Sequence, residues 1–161
     1  MRKLLICDVK RVAVFPGSFD PITTGHVDIV RRAIPLFDQI IIAVGHNTQK
    51  EYLFRLSDRL NWLEKVFEDD ETVTIDDYEG LTAHYCTKIG AKFMIRGLRN
   101  SSDFDYEKTI SQLNHIIGNE LETIFLISRP EFSHVSSTIV REIIKGGGDA
   151  SPFVPSALPL P

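Results

Sequence analysis

Five short apolar runs recur along the chain, and each is followed by a stretch whose apolar residues fall three or four positions apart. The runs cover residues 11–15, 39–44, 72–75, 91–95 and 122–127. Gln39-Ile40-Ile41-Ile42-Ala43-Val44 is continuous rather than alternating, the pattern of a parallel strand covered on both faces. After the first run, Val27, Val30, Ile34 and Phe37 share one face of a helix that starts at about His26, and Pro35 should end or kink it. Leu60, Leu63, Val66 and Phe67 share the face of a second helix, with Ser57 as its expected cap. Thr82 is the expected cap of a third helix that stops at Gly90. Asp103 is expected to open a fourth, with Ile110, Leu113 and Ile117 turned inward and Gly118 as its stop. Ser136-Ser137-Thr138 opens a fifth, in which Ile139 and Ile143, and Val140 and Ile144, stack at i, i+4; Gly146-Gly147-Gly148 ends it. Trp62, Phe93 and Met94 are read as core.

Strand and helix alternate five times, which predicts an α/β fold: a Rossmann-like, doubly wound, five-stranded parallel sheet with helices on both faces and right-handed crossovers. Ligands in such sheets bind beyond the carboxyl ends of the strands, at the topological switch point. That rule singles out the loop around residues 16–26, the loop Gly45–Lys50, the segment Arg96–Arg99 and the loop before Ser136. Residues 1–10 precede the first strand as an extension that could add a strand of its own. The proline-rich end, with Pro152, Pro155, Pro159 and Pro161, is expected to be loop-like.

Length and charge narrow the function. A chain of 161 residues can bury one sizeable core without staples. A net charge of −4 argues against a general nucleic-acid binder but leaves room for a small anion held by local cations. Cys7 and Cys86 have no metal-type spacing and are expected to be plain thiols in a reducing cytoplasm. The apolar run after Arg2-Lys3 ends at Asp8, too soon for a signal peptide. A soluble cytoplasmic protein is the expectation.

The candidate chemistry lies in the first loop. Val12-Ala13-Val14-Phe15 breaks into Pro16-Gly17-Ser18-Phe19-Asp20-Pro21-Ile22-Thr23-Thr24-Gly25-His26, so a strand, a glycine-bearing loop and a helix follow in order. That order aims the first amides of a helix at a cleft where phosphate can sit. His26, at the mouth, can donate to a phosphate oxygen as it gains charge. A lone Gly-His would read as a surface turn; the whole run is far more specific. Arg96-Gly97-Leu98-Arg99 puts two guanidinium forks at a strand end, where they suit phosphate oxygens. Ser136, Ser137 and Thr138, followed by Arg141, can grip phosphates or simply cap a helix, and both readings can hold together. Lys50 by itself reads as a solvated lysine. Glu107, with Asp103 and Asp105, could merely complement a helix dipole. No G-x-x-x-x-G-K-[ST], G-x-S-x-G, H-E-x-x-H or first-loop G-x-G-x-x-G occurs.

With these blocks in this order, the sequence resembles the bacterial phosphopantetheine adenylyltransferases. The resemblance rests on Phe15–His26, Ile95–Arg99, Asp103-Phe104-Asp105-Tyr106-Glu107, and Ser136–Thr138 with Arg141-Glu142. Thr23-x-Gly25-His26 matches the (H/T)-x-G-H signature of the wider nucleotidyltransferase superfamily. It covers about residues 11–155, which would form the nucleotidyltransferase domain, with residues 156–161 as a tail. It implies adenylyl transfer from ATP to 4′-phosphopantetheine, giving dephospho-CoA (dephospho-coenzyme A) and pyrophosphate. It further implies Mg²⁺ held mainly by substrate phosphates, a homohexamer, and coenzyme A (CoA) as a feedback ligand. His26 would stabilise the transition state, with Lys50 and Arg96 also catalytic. Ser18, Lys50, Thr82 and Arg96 would contact phosphopantetheine. ATP would meet Ser18, Phe19, His26, Gly97, Leu98, Arg99, Glu107 and the segment Phe132, Ser133, His134, Val135, Ser136, Ser137 and Thr138. Ser18 stands where the family often has Thr, and Phe132 where Trp is familiar, so stacking survives and the indole donor does not. Two other readings fit the same residues: a sister enzyme using CTP or another phosphorylated acceptor, and a nucleotide-binding module without catalysis.

Overall fold

The computed structural model describes residues 10–47 and 49–160. Five parallel strands, β1 (Val12–Gly17), β2 (Gln39–His46), β3 (Val73–Glu79), β4 (Phe93–Leu98) and β5 (Glu122–Ile127), form one sheet in the order β3-β2-β1-β4-β5. The helices are α1 (Thr24–Ala33), α2 (Leu56–Val66), α3 (Thr82–Lys88), α4 (Ser101–Ile117) and α5 (Ser137–Lys145). The α/β class and the five strands are as the alternation predicts. The extra strand entertained within residues 1–10, and Cys7, fall outside the described residues apart from Lys10.

The period-2 geometry of a strand explains the continuous apolar runs. Ala13 and Phe15 of β1, Ile40, Ile42 and Val44 of β2, and Ile95 of β4 face one layer with α1, α2 and α5. Val14, Ala43 and Met94 face the other, against Ala83, Tyr85 and Cys86 of α3. α4 lies on this second side, its Phe104 edge-on to Phe125 of β5 at 6.1 Å. Trp62 and Met94 are buried, as expected, and Phe93 packs against the first layer. Beyond α5 the chain returns to that layer, where Ala150, Val154 and Leu158 are buried.

Several local expectations are corrected. Arg55, not Ser57, is the cap residue of α2 and provides no side-chain cap, and Ser57 lies inside the first turn. Leu81, not Thr82, is the cap residue of α3; the Thr82 hydroxyl pairs instead with the Tyr78 hydroxyl at 2.7 Å. Asn100, not Asp103, caps α4, its side chain accepting from the Asp103 amide. α4 does not turn Leu113 and Ile117 inward: they are 50% and 42% exposed, and its buried side chain is Glu107. The helix uses its inward positions for an ion pair. Pro35 does end α1, which passes into a 3₁₀ turn over Ile34–Leu36. Ser136 caps α5 by accepting from the Ile139 amide.

Strands also run further than the apolar runs suggest. Pro16 and Gly17 belong to β1, and Arg96 and Gly97 to β4. A proline inside a central strand is allowed here because β1 pairs with β4 only at Ala13 and Val14. Past that point the two strands part. Among the described residues no helix is long and apolar enough to cross a membrane.

Leu63 is fully buried between α2 and the sheet. Leu63→Ala is expected to cost about 2–5 kcal/mol, read as a lower urea midpoint with an unchanged slope.

Candidate active site

The sheet order reverses between β1 and β4, and their ladder ends at Val14 and Met94. The gap that opens beyond is spanned by Arg96. Its Nη1 donates to the Pro16 carbonyl at 3.0 Å, and its Nε donates to Glu107 Oε2 at 2.8 Å. Nη2 binds the other oxygen of the same carboxylate. The bidentate fork fixes the guanidinium plane and explains why Glu107 is buried on an otherwise exposed helix. Dipole complementation is therefore not what Glu107 does. One position on, Gly97 lies close against α1, where a Cβ would crowd Ile29 at 3.1 Å. Arg99 is held in a second fork by Asp103, at 2.9 and 3.1 Å.

Opposite these arginines, the turn after β1 is built from the inside. Phe19 has φ 45°, a left-handed conformation uncommon for a bulky residue. Its ring is 2% exposed and lies edge-on to Phe15 at 5.6 Å and to His26 at 5.2 Å. Gly17 makes room for it: a Cβ at that position would strike the Phe19 ring at 2.9 Å. Thr23 then caps α1 in a reciprocal box. Its hydroxyl accepts from the His26 amide at 3.4 Å, and its own amide donates to His26 Nδ1 at 3.0 Å. A backbone amide can only donate, so Nδ1 must be the unprotonated nitrogen of the neutral ring. The proton sits on Nε2, which becomes the ring's donor.

Two adjoining cavities occupy the gap. One, about 340 Å³, is lined by His26, Gly97, Arg99, Phe132 and the start of α5. The other, about 370 Å³, is lined by Tyr78, Thr82, Met94, Ile110 and Asn114. Pro16, Gly17, Ser18, Lys50 and Arg96 border both. The first carries four cationic side chains, Lys50, Arg96, Arg99 and Arg141, against the carboxylates of Asp103 and Glu107. It therefore favours an anion in a protein whose net charge is −4. A larger cavity of about 670 Å³ lies beyond Thr24 and Phe132, with Arg31, Arg32, Lys65 and Arg129 in its wall; it lacks His26, Lys50, Arg96 and Arg99.

Most of the residues singled out in the sequence meet here. Ser18, His26, Lys50, Arg96, Gly97, Arg99, Glu107, Phe132, Val135, Ser136, Ser137 and Thr138 line the first cavity, and Thr82 lines the second. Four do not line either. Phe19 and Leu98 are buried in the wall behind. Ser133 turns its hydroxyl to the Pro130 carbonyl, and His134 lies edge-on to Phe153 at 6.3 Å. The three hydroxyls of the α5 start divide their work: Ser136 caps, Ser137 donates to the Pro21 carbonyl at 2.7 Å, and Thr138 accepts from Arg141 Nη2 at 3.2 Å. Sequence reasoning gave no site role to Tyr78, Asn114 or Asp103. Nothing in the local pattern marks Asn114, which only the packing of α4 beside β4 brings to the cleft.

Residues 14–143 match the Cytidylyltransferase-like family. Over 148 residues the chain is 51% identical to the phosphopantetheine adenylyltransferase of Flavobacterium psychrophilum, covering 92% of this chain and 97% of that one. It is 47% identical to the enzyme of the same name from Cytophaga hutchinsonii, covering 91% and 98%. Among solved structures, a nicotinate-nucleotide adenylyltransferase candidate from Vibrio parahaemolyticus superposes with a TM-score of 0.69 at 17% identity, over 92% of this chain and 90% of that one. A bifunctional NMN adenylyltransferase/ADP ribose pyrophosphatase from Francisella tularensis gives the same score and identity over 94% of this chain and 46% of its own. At that identity the two structures speak for the fold alone.

Burial, and then the nearby charges of Arg96 and Arg99, push the His26 imidazole down to about 4, from an ordinary value of 6.5. The unfolded chain binds that proton as pH falls through 6.5, whereas the folded protein binds it only near 4. Stability is therefore lost as pH falls through this window, and the loss is complete below about pH 4. Long-range ¹H–¹⁵N spectra of the ligand-free protein should show an Nε2–H tautomer at pH 7 and a His26 midpoint near 4; a midpoint near 6.5 would contradict the half-buried, cation-flanked ring.

Proposed function

The chain belongs to the phosphopantetheine adenylyltransferase family: it makes dephospho-CoA and pyrophosphate from ATP and 4′-phosphopantetheine, and we propose that it does so by direct in-line attack where its two cavities meet. The observation that carries the mechanism is the shared border of those cavities at Ser18, Lys50 and Arg96, with His26 beside it. Two anionic substrates must approach each other head to head, and a cationic junction between two chambers suits that encounter.

The phosphate of phosphopantetheine is already a nucleophile, so neither a covalent enzyme intermediate nor a strong base is needed. Catalysis is positioning plus charge stabilisation. ATP takes the cavity of Gly97, Arg99, Glu107, Phe132 and the α5 start; phosphopantetheine extends into that of Thr82. Lys50 and Arg96 offset repulsion between the phosphates. The neutral His26 ring offers its Nε2–H to the α-phosphate oxygens as they gain charge. Because that ring is already uncharged and tethered through Nδ1, it needs no reorganisation to donate.

Mg²⁺ fits this arrangement as a passenger of the nucleotide. The cleft carboxylates Asp103 and Glu107 are both engaged by arginine forks, which leaves phosphate oxygens as the better ligands for a hard cation. When bound, the ion would neutralise charge on the leaving pyrophosphate. The exposed Phe104, Tyr106, Leu113, Ile116 and Ile117 of α4 support self-association, which we take to be a homohexamer; light scattering would read 109 kDa-scale particles, on the order of six chains, against one. We place the enzyme in the cytoplasm, with CoA as a feedback ligand of the same cleft.

Incubation with ATP, Mg²⁺ and 4′-phosphopantetheine should yield dephospho-CoA by mass detection; ATP binding without turnover would refute the reading. His26→Ala is expected to lower kcat by roughly 10²–10³-fold, about 2.7–4 kcal/mol, with a far smaller change in KM. A pure KM effect would remove His26 from the transition state.

A further inference from the structure

Asp20 has no role in the scheme above, yet it is 2% exposed and sits where three elements converge. Its carboxylate accepts two backbone amides from across the fold: Leu53 N–H to Oδ2 and Phe54 N–H to Oδ1, both at 2.9 Å. Leu53 and Phe54 belong to the segment between β2 and α2, the segment that carries Lys50. On either side of Phe19 the backbone is clamped as well. Arg59 of α2 donates to the Ser18 carbonyl at 2.6 Å while stacking over the Tyr52 ring at 4.2 Å. Arg141 of α5 donates to the Asp20 carbonyl at 2.7 Å and approaches the Asp20 carboxylate at 3.9 Å.

We propose that Asp20 is a positioning residue: its buried carboxylate latches the Leu53–Phe54 amides and so sets Lys50 at the junction of the two cavities. The proposal rests on the reading that Lys50 serves phosphopantetheine. The physical reason is the geometry of a carboxylate. Two equivalent oxygens can each accept one of two adjacent amides, and a charged acceptor makes both bonds strong. An amide side chain of the same shape can accept only one of them and would turn an N–H toward the other. Lys50 itself is exposed, and its amide donates to the Asn47 carbonyl at 3.0 Å. The Asp20 latch lies three and four residues further on, close enough to fix where the lysine stem leaves the backbone.

The test is a double-mutant cycle on the full chain, using Asp20→Asn, Lys50→Ala and the pair, with steady-state kinetics in each substrate. Asp20→Asn should raise KM for phosphopantetheine about tenfold or more while KM for ATP stays within about twofold. In the Lys50→Ala background the same change should add little. Full multiplicative effects of the two substitutions would overturn the latch while leaving the Lys50 assignment intact. No effect of Lys50→Ala alone would overturn that assignment and the latch with it. A second measurement covers the case in which Asp20→Asn does not fold: amide hydrogen exchange in the unaltered protein. Leu53 and Phe54 should be protected well beyond Glu51, and exchange as fast as Glu51 would refute the latch.

Discussion

The parting of β1 and β4 is the constraint on which the site depends. Five parallel strands in the order 3-2-1-4-5 leave one place where consecutive connections run to opposite edges. There the ladder stops after two pairs, whereas β1 with β2 and β4 with β5 stay in register to the strand ends. The backbone groups freed at that seam would be costly if left alone. Arg96 reaches over to the Pro16 carbonyl and is itself held by Glu107. The sheet thus opens into a cleft while one carbonyl at the seam, that of Pro16, keeps a partner, and the side chain that supplies it is also a cation facing the cleft.

The arginines of the cleft are each held by partners within the protein. Arg96 is forked by Glu107, Arg99 by Asp103, and Arg141 is tied to the Asp20 carbonyl and Thr138. As stability devices the exposed members of this set are worth little. As orienting devices they hold flexible side chains in one geometry, which lowers the entropy cost of meeting a phosphate. The imidazole follows the same logic by a different route. Burial and cationic neighbours keep His26 neutral, and the Thr23 amide decides which nitrogen carries the proton.

The turn from Ser18 to Asp20 joins these parts. Phe19 takes a left-handed backbone that an aromatic residue seldom adopts, and its neighbours over-determine it: Gly17 leaves space, Phe15 and His26 flank the ring, and Arg59 and Arg141 hold the carbonyls on either side. Helices α2 and α5, 41 and 121 residues away along the chain, therefore bear on the same three residues.

Much of this was legible in the sequence, because it depends on period and on local order. Continuous apolar runs between helical repeats dictate a parallel sheet covered on both faces. A proline- and glycine-bearing loop between a strand and a helix dictates an anion-facing turn with His26 at its edge. Those signals are carried by neighbours in the chain. Caps were less legible: Ser57, Thr82 and Asp103 each have the right side chain for a cap, yet Arg55, Leu81 and Asn100 take the position, because the strand or loop before each helix decides where its first turn begins. α4 misled for a related reason, since an amphipathic pattern says which residues share a face and not which face meets the sheet. The Arg96–Glu107 fork, the Asp20 carboxylate on the Leu53 and Phe54 amides, and the neutral state of His26 were beyond reach of pattern altogether. Each is a contact or a field between residues that only the packing of separate elements brings together, and tertiary structure alone decides such proximity.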